Sequence, residues 1–202
     1  MLGHTDLFTE YTTIAILPVL DGRASIKSLS RLWGLIYIGN LVGVALFAGF
    51  ATVIGPALGI VEPQIFGEIA RDRVTHSWWV ILFSGVLAGW LMGLLSWLIA
   101  AGRDTISQIF FVWLIVLAIK FCHFHHSISG SVEVLAGILT STLGITSLFY
   151  FLLWSTIGNA IGGIFFAMLV RNSLVMSSTK RSSNRRYDQH QQDSYKQRHR
   201  RR

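Results

Sequence analysis

The sequence predicts an all-α integral membrane protein in which one long apolar helix is interrupted at mid-membrane, and three observations carry that prediction. First, 52% of the chain is apolar, and residues 32–61, 74–102, 105–119 and 134–170 are uncharged. A bilayer core about 30 Å thick is crossed by ~20 apolar residues, and a soluble domain does not carry four such regions. Second, Gly39-Asn40-Leu41-Val42-Gly43 returns as Gly158-Asn159-Ala160-Ile161-Gly162, 119 residues later (158 − 39). A period that long excludes a solenoid, whose repeat is shorter. Third, polar residues interrupt the apolar segments at matching places: the same offset carries Leu7-Phe8-Thr9 onto His126-Ser127-Ile128, so Thr9-Glu10-Tyr11-Thr12-Thr13 corresponds to the His-Ser stretch of the second half. Repeated hydrophobic segments broken at corresponding positions mark a membrane transporter whose site lies where the breaks meet.

Taken in order, residues 12–20 are apolar but far too short to span, and read as half of a helix. Residues 32–54 form the first full span. Inside it Asn40 follows a glycine, where its amide needs a partner, and backbone freed by a break supplies one. Residues 61–75, with Glu62, Glu68, Asp72, Arg71 and Arg73, read as a charged joint. The next span is 77–101, with Trp78, Trp79 and Trp97 near its ends at the level of the headgroups. Residues 105–140 are too long for one crossing: as a straight helix they would reach about 54 Å at ~1.5 Å per residue, nearly twice the core. Lys120, Cys122, His123, His125, His126, Ser127, Ser129 and Gly130 fall in the middle, so the helix breaks near 121–129 into halves at about 105–121 and 129–140. Unwound backbone at that depth lines a cavity or packs in protein, because each unpaired N–H or C=O in hydrocarbon costs several kcal/mol. Residues 147–170 are the last span and carry Asn159, the repeat mate of Asn40.

The charges set an orientation. Residues 171–202 hold ten Lys or Arg against Asp188 and Asp193, polar and without apolar period, and read as a disordered cytoplasmic tail. Together with Arg23, Lys27 and Arg31 before the first span, they place both ends of the spanning region in the cytoplasm. A positive-inside anchor explains the tail, anionic lipid is its second use, and a nucleic-acid arm is not expected. The first copy of the repeat has no counterpart for 77–101 or 105–121; mapped back, these would precede Met1, so a start lacking about 42 residues (119 − 77) of a symmetrical protein is expected.

His126 is the strongest functional candidate, since ionisable groups inside a membrane are costly, on the order of 2.5–3.5 kcal/mol for Lys, Arg or Asp, and are retained for function. An imidazole at mid-membrane can pass a proton to an anion, which then crosses as a neutral acid and avoids an idealised Born cost of order 20 kcal/mol; the plainer reading is a histidine bonding a loop carbonyl. For Lys120 two readings stand: it draws anions inward, or it pairs with Glu133 or snorkels. Cys122-His123-Phe124-His125-His126 invites a metal reading, but neighbours on a helix point apart and no second ligand cluster exists, so no metal or other cofactor is expected.

Leu7-Phe8-Thr9-Glu10, then Arg31-Leu32-Trp33-Gly34 leading to Tyr37-Ile38-Gly39-Asn40-Leu41-Val42-Gly43, then Phe124-His125-His126-Ser127-Ile128, and finally Thr156-Ile157-Gly158-Asn159-Ala160-Ile161-Gly162-Gly163 resemble, in order and spacing over about 7–170, the formate/nitrite transporter family. The resemblance implies a six-helix, aquaporin-like bundle with inverted repeats, assembled as a homopentamer with one pore per protomer in a bacterial inner (plasma) membrane. Its substrates are small monovalent weak-acid anions such as formate, nitrite, acetate, lactate or hydrosulfide. The resemblance also implies that loops interrupting two helices meet at mid-membrane, with His126 matching the family's histidine, Thr9 the facing threonine, and Leu7 and Phe8 the apolar constriction. Three positions depart: Tyr11 stands where Asn is usual, His125 where Glu commonly precedes the histidine, and Gly130 where Asn is common. The expected function is proton-linked transport of such an anion, with Lys120 also on its path and with Asn40 and Asn159 structural. The alternatives are a truncated, non-transporting membrane protein whose basic tail binds lipid or a cytoplasmic partner, and a metal-dependent membrane enzyme, which is not expected.

Overall fold

The computed structural model describes residues 8–141 and 143–200, with side chains through residue 173 except at 10, 11 and 14. Leu7 therefore lies outside the described residues. The described chain forms α1 (Phe8–Ile14), α2 (Leu17–Leu20), α3 (Ile26–Ala57), α4 (Pro63–Val74), α5 (Trp78–Ala101), α6 (Thr105–Phe121), α7 (Ser127–Thr140) and α8 (Ile145–Arg200). Three stretches, Ile26–Ala57, Trp78–Ala101 and Ile145–Ser173, are long and apolar enough to cross a membrane, and α6 and α7 are shorter apolar pieces. The fold class is all-α and integral to a membrane. The chain divides into two compact units, Met1–Ala167 and Met168–Arg202; the packing described below is that of the first.

Several elements differ from the sequence reading, each for a local reason. The half-helix expected at 12–20 starts earlier and is cut in two. Phe8 opens α1 because its N–H is satisfied from α3, and Pro18, which has no N–H to offer the carbonyl of residue 14, stops the ladder before α2. The first span starts at Ile26 rather than 32, because Ser25 caps it by accepting the Ser28 N–H at 3.1 Å. The last span starts at Ile145 rather than 147. Residues 61–75, read as a joint, contain α4. Pro63 sits at its first turn, where a missing N–H costs nothing; Arg71 and Arg73 occupy the last turn, where cations suit the helix dipole; and Ala70 is fully buried. In the second unit α8 runs on through 171–200, where disorder was expected. That stretch lacks an apolar period, but it also contains no Gly or Pro to stop a helix already nucleated.

Glycines set how closely the spans approach. Gly85, Gly89 and Gly93 recur every four residues on α5 and face α8, where a Cβ on Gly158 would lie 2.3 Å from the Leu82 carbonyl oxygen and one on Gly162 2.0 Å from that of Val86. With no hydrophobic drive between helices in lipid, such backbone contact is a main source of association. α4 and α7 are equally close, a Cβ on Gly137 falling 2.1 Å from that of Ala70. The outer face of α3 stays apolar and uncovered in this chain, with Leu35, Ile38, Leu46 and Phe50 all exposed, as suits hydrocarbon.

Candidate functional site

The long third segment is divided by Cys122–His126, and the break is a defined structure. α6 ends in a Schellman motif: the Phe124 N–H reaches back to the Ile119 carbonyl at 3.0 Å and the His123 N–H to that of Lys120 at 3.1 Å. The residue in the left-handed position is His123 (φ 56°), the one non-glycine among the described residues with positive φ. A side chain there costs roughly 1–2 kcal/mol. Arg73 from α4 holds it, donating from Nη1 to the His123 carbonyl at 3.3 Å. After two further residues the extended His126 (φ −91°, ψ 120°) caps α7.

The two asparagines tie both breaks to the full spans by the same bond. Asn40 Oδ1 accepts the Phe8 N–H at 3.1 Å, and Asn159 Oδ1 accepts the Ser127 N–H at 2.8 Å. Phe8 and Ser127, like Asn40 and Asn159, are repeat mates. Asn159 Nδ2 also donates to the carbonyls of His125 at 2.9 Å and Gly85 at 3.0 Å, so one side chain joins the break, α5 and α8. Tyr37 and Thr156, again repeat mates 119 residues apart, bond each other through their hydroxyls at 2.8 Å.

At the meeting point Thr9 Oγ1 lies 2.8 Å from His126 Nε2, and both residues are buried. Each stands at the start of its helix, where the dipole presents its positive end. His126 Nδ1 accepts the Ser129 N–H at 3.2 Å, so it carries no proton; the neutral ring therefore holds its hydrogen on Nε2 and donates it to Thr9. His126 also lines a cavity of about 200 Å³ together with Lys120, Ser129, Met92, Ile119 and Val132. Phe8 is not on that wall. Its ring is buried with Val44 and Ile128 and meets Tyr37 edge-on at 4.7 Å.

Of the two readings for Lys120 the structure shows the pairing: it is ion-paired to Glu133, and it also lines the cavity. Glu133 in turn accepts from Arg73 Nε at 2.6 Å. Arg73, which the sequence places among the charges of a joint, thus stands beside the site; the available signal for its helix is Pro63 followed by apolar Ile65, Phe66, Ile69 and Ala70 at helical spacing. The other members of the histidine cluster diverge. Cys122 is exposed, His123 is exposed beside Asp72 at 3.7 Å, and His125 is buried against Ser84 of α5.

The departure at Gly130 has a physical cause: a Cβ there would lie 2.3 Å from Cζ of the fully buried Phe151. Gly130→Asn is therefore expected to destabilise the protein by about 1–3 kcal/mol. A double-mutant cycle measured by thermal unfolding in detergent checks this, because most of the cost should vanish in a Phe151→Leu background.

The fold and this site define a helical membrane protein built around two half-helices that meet at a buried threonine–histidine pair, and the comparisons with known proteins say which. The family model described as formate/nitrite transporter matches residues 1–172, and the chain belongs to that family. It is 29% identical over 193 residues to inner membrane protein YfdC of Escherichia coli, covering 92% of this chain and 61% of that protein. It is 32% identical to a probable formate transporter of Methanothermobacter thermautotrophicus (82% and 66% covered) and 26% to the nitrite transporter NirC of Salmonella typhimurium (82% and 62%). The solved structure of an FNT family ion channel shares the fold at a TM-score of 0.76 and 24% identity, covering 86% of this chain and 71% of that one. The chain thus spans about half to two-thirds of the length of the curated relatives it matches.

Proposed function

We propose that the protein moves small monovalent anions of weak acids, formate or nitrite foremost, across a bacterial inner membrane, one proton accompanying each anion by way of His126. The observation that carries this reading is His126, held by Thr9 through a hydrogen bond, on the wall of a largely apolar cavity whose charged lining group is Lys120. Relatives named as formate and nitrite transporters support the substrate class. Lys120 gives the arriving anion a partner, but the apolar remainder of that lining is a poor passage for a bare anion and a good one for a neutral acid. A proton taken up at His126 Nδ1 displaces the Ser129 N–H; the resulting imidazolium gives that Nδ1 proton to the anion, the acid passes on neutral, and the ring is left as the Nε2–H tautomer with Nδ1 free to accept from Ser129 again. Thr9 holds Nε2 between turnovers. Leu7 is assigned to the apolar constriction, Asn40 and Asn159 keep the two breaks in register, and Lys120 supplies positive potential. The working assembly is taken to be a homopentamer with the basic tail in the cytoplasm.

Reconstitution into proteoliposomes with a trapped pH indicator tests the reading. Formate and nitrite should both enter and acidify the lumen, and gluconate should do neither. Flux of both anions no greater than into protein-free vesicles would overturn it in favour of a membrane protein that does not transport.

A further inference from the structure

We propose that Glu133 is a built-in competitor for the permeating anion: it occupies Lys120 while the cavity is empty, and Arg73 takes over its charge when an anion binds to Lys120 in its place. This rests on the proposed anion transport and adds to it a binding residue and the group that must vacate it. The geometry points to exchange because the two carboxylate oxygens are divided between the two cations, Oε1 to Lys120 and Oε2 to Arg73. The partners are not equivalent. Arg73 is anchored: its side chain is 9% exposed, it lies on α4 packed against α7, and its Nη1 also holds the His123 carbonyl. Lys120 is the loose partner, with its side chain 37% exposed at the end of α6, on the wall of the cavity that contains His126. Its flexible stem can turn the ammonium from one oxygen to another with little loss, which the planar fork of an arginine cannot do.

Charge favours the same assignment. Arg73, Glu133 and Lys120 together carry one net positive charge, so a monovalent anion on Lys120 brings the group to neutrality. Glu133 is not left alone when Lys120 departs, because Arg73 still neutralises it; a buried carboxylate stripped of every cation would make the exchange prohibitive. The incoming ligand that fits is a group like the one it replaces, a small planar oxyanion such as a monocarboxylate or nitrite. The tethered carboxylate thereby keeps binding weak enough for release, as multi-site conduction requires.

The test combines a substitution cycle with two readouts. Glu133→Gln keeps a hydrogen-bond acceptor for Arg73 and removes the competitor; it should lower the half-saturating formate concentration by about tenfold and slow maximal flux, a split that a merely structural role would not give. In a Lys120→Gln background the same substitution should leave half-saturation unchanged. Nitrite binding to the detergent-solubilised protein, followed by tryptophan fluorescence, supplies a readout independent of flux. Tightened nitrite binding in Glu133→Gln without wild-type flux would sink the transport reading and keep the exchange. Wild-type flux whose half-saturation ignores Glu133→Gln, or shifts equally with and without Lys120, would sink the exchange and keep the transport reading. Should Glu133→Gln fail to assemble, Lys120→Gln decides alone: half-saturation rises if Lys120 binds the anion, and unchanged half-saturation overturns the proposal.

Discussion

Asn159→Leu is expected to prevent assembly of the folded protein. Leucine matches the size of the amide and suits a membrane helix by composition, so a reading based on hydropathy alone predicts a neutral or stabilising change. The structure predicts the reverse. Asn159 is fully buried and makes three hydrogen bonds, accepting from the first N–H of α7 and donating to the carbonyls of His125 and Gly85. The Gly85 carbonyl lies within α5 and retains its helical partner, but the Ser127 N–H and the His125 carbonyl are at a break and have no ladder to return to. Two stranded backbone groups at about 1–3 kcal/mol each amount to about 2–6 kcal/mol, comparable to the whole stability of many domains. The measurement is the yield of monodisperse protein in detergent and its unfolding midpoint. Asn159→Asp separates the two halves of the effect, since it keeps the acceptor for Ser127 and loses the donor. A Leu variant with wild-type yield and midpoint would mean that the break does not depend on this amide.

Gly162→Ala is the second large effect. A methyl group is the smallest addition possible and alanine is the better helix former, worth about 1 kcal/mol in its favour on propensity. Against this, the added carbon would lie 2.0 Å from the Val86 carbonyl oxygen and 2.8 Å from the Trp90 nitrogen, both backbone atoms of α5. No rotamer change relieves that contact, so the helices must separate, opening the crossing that Gly85, Gly89 and Gly158 share. We expect a net loss of about 3 kcal/mol, the upper end of overpacking costs because the obstacle is backbone. Gly43, the repeat mate of Gly162, serves as control: a Cβ there meets nothing within 4 Å, so Gly43→Ala should leave this chain's unfolding midpoint unchanged or raised. Thermal unfolding of the two variants side by side is the check.

The contrast between those glycines shows where sequence reading ends. The offset of 119 made Gly43 and Gly162 look alike, and it did expose the repeat, because it depends only on residue identity and order. The packing of each mate depends on what lies across from it. The fold class was legible because apolar length and an overlong third segment are properties of the chain itself. Helix α4 was not legible in the same way: a stretch of 12 residues with three acidic or basic groups near its end resembles a loop until Glu133, 60 residues further on, is seen to receive Arg73. The site was half legible. Repeat arithmetic pairs Thr9 with Ile128, yet the hydrogen bond goes to His126, two residues earlier, because in the second half the polar side chain sits on the cap rather than in the first turn. Phe8, assigned to the constriction, is packed against Tyr37 and Trp33, a partnership set by the approach of α3 that no spacing within the first copy reveals.

The central claim is that His126 couples a proton to the anion, and the pH dependence of formate entry into proteoliposomes tests it most directly. Each rate is corrected for protein-free vesicles, through which formic acid itself diffuses, and wild type is compared with His126→Asn, a residue that can still meet Thr9 but cannot carry a proton. The account predicts that wild-type entry rises by about tenfold as the external pH falls from 7 to 6, the proton acting as a co-substrate. It also predicts that His126→Asn assembles normally and loses most of that slope. An unchanged slope in well-folded His126→Asn would contradict the account and return His126 to the role of a helix cap.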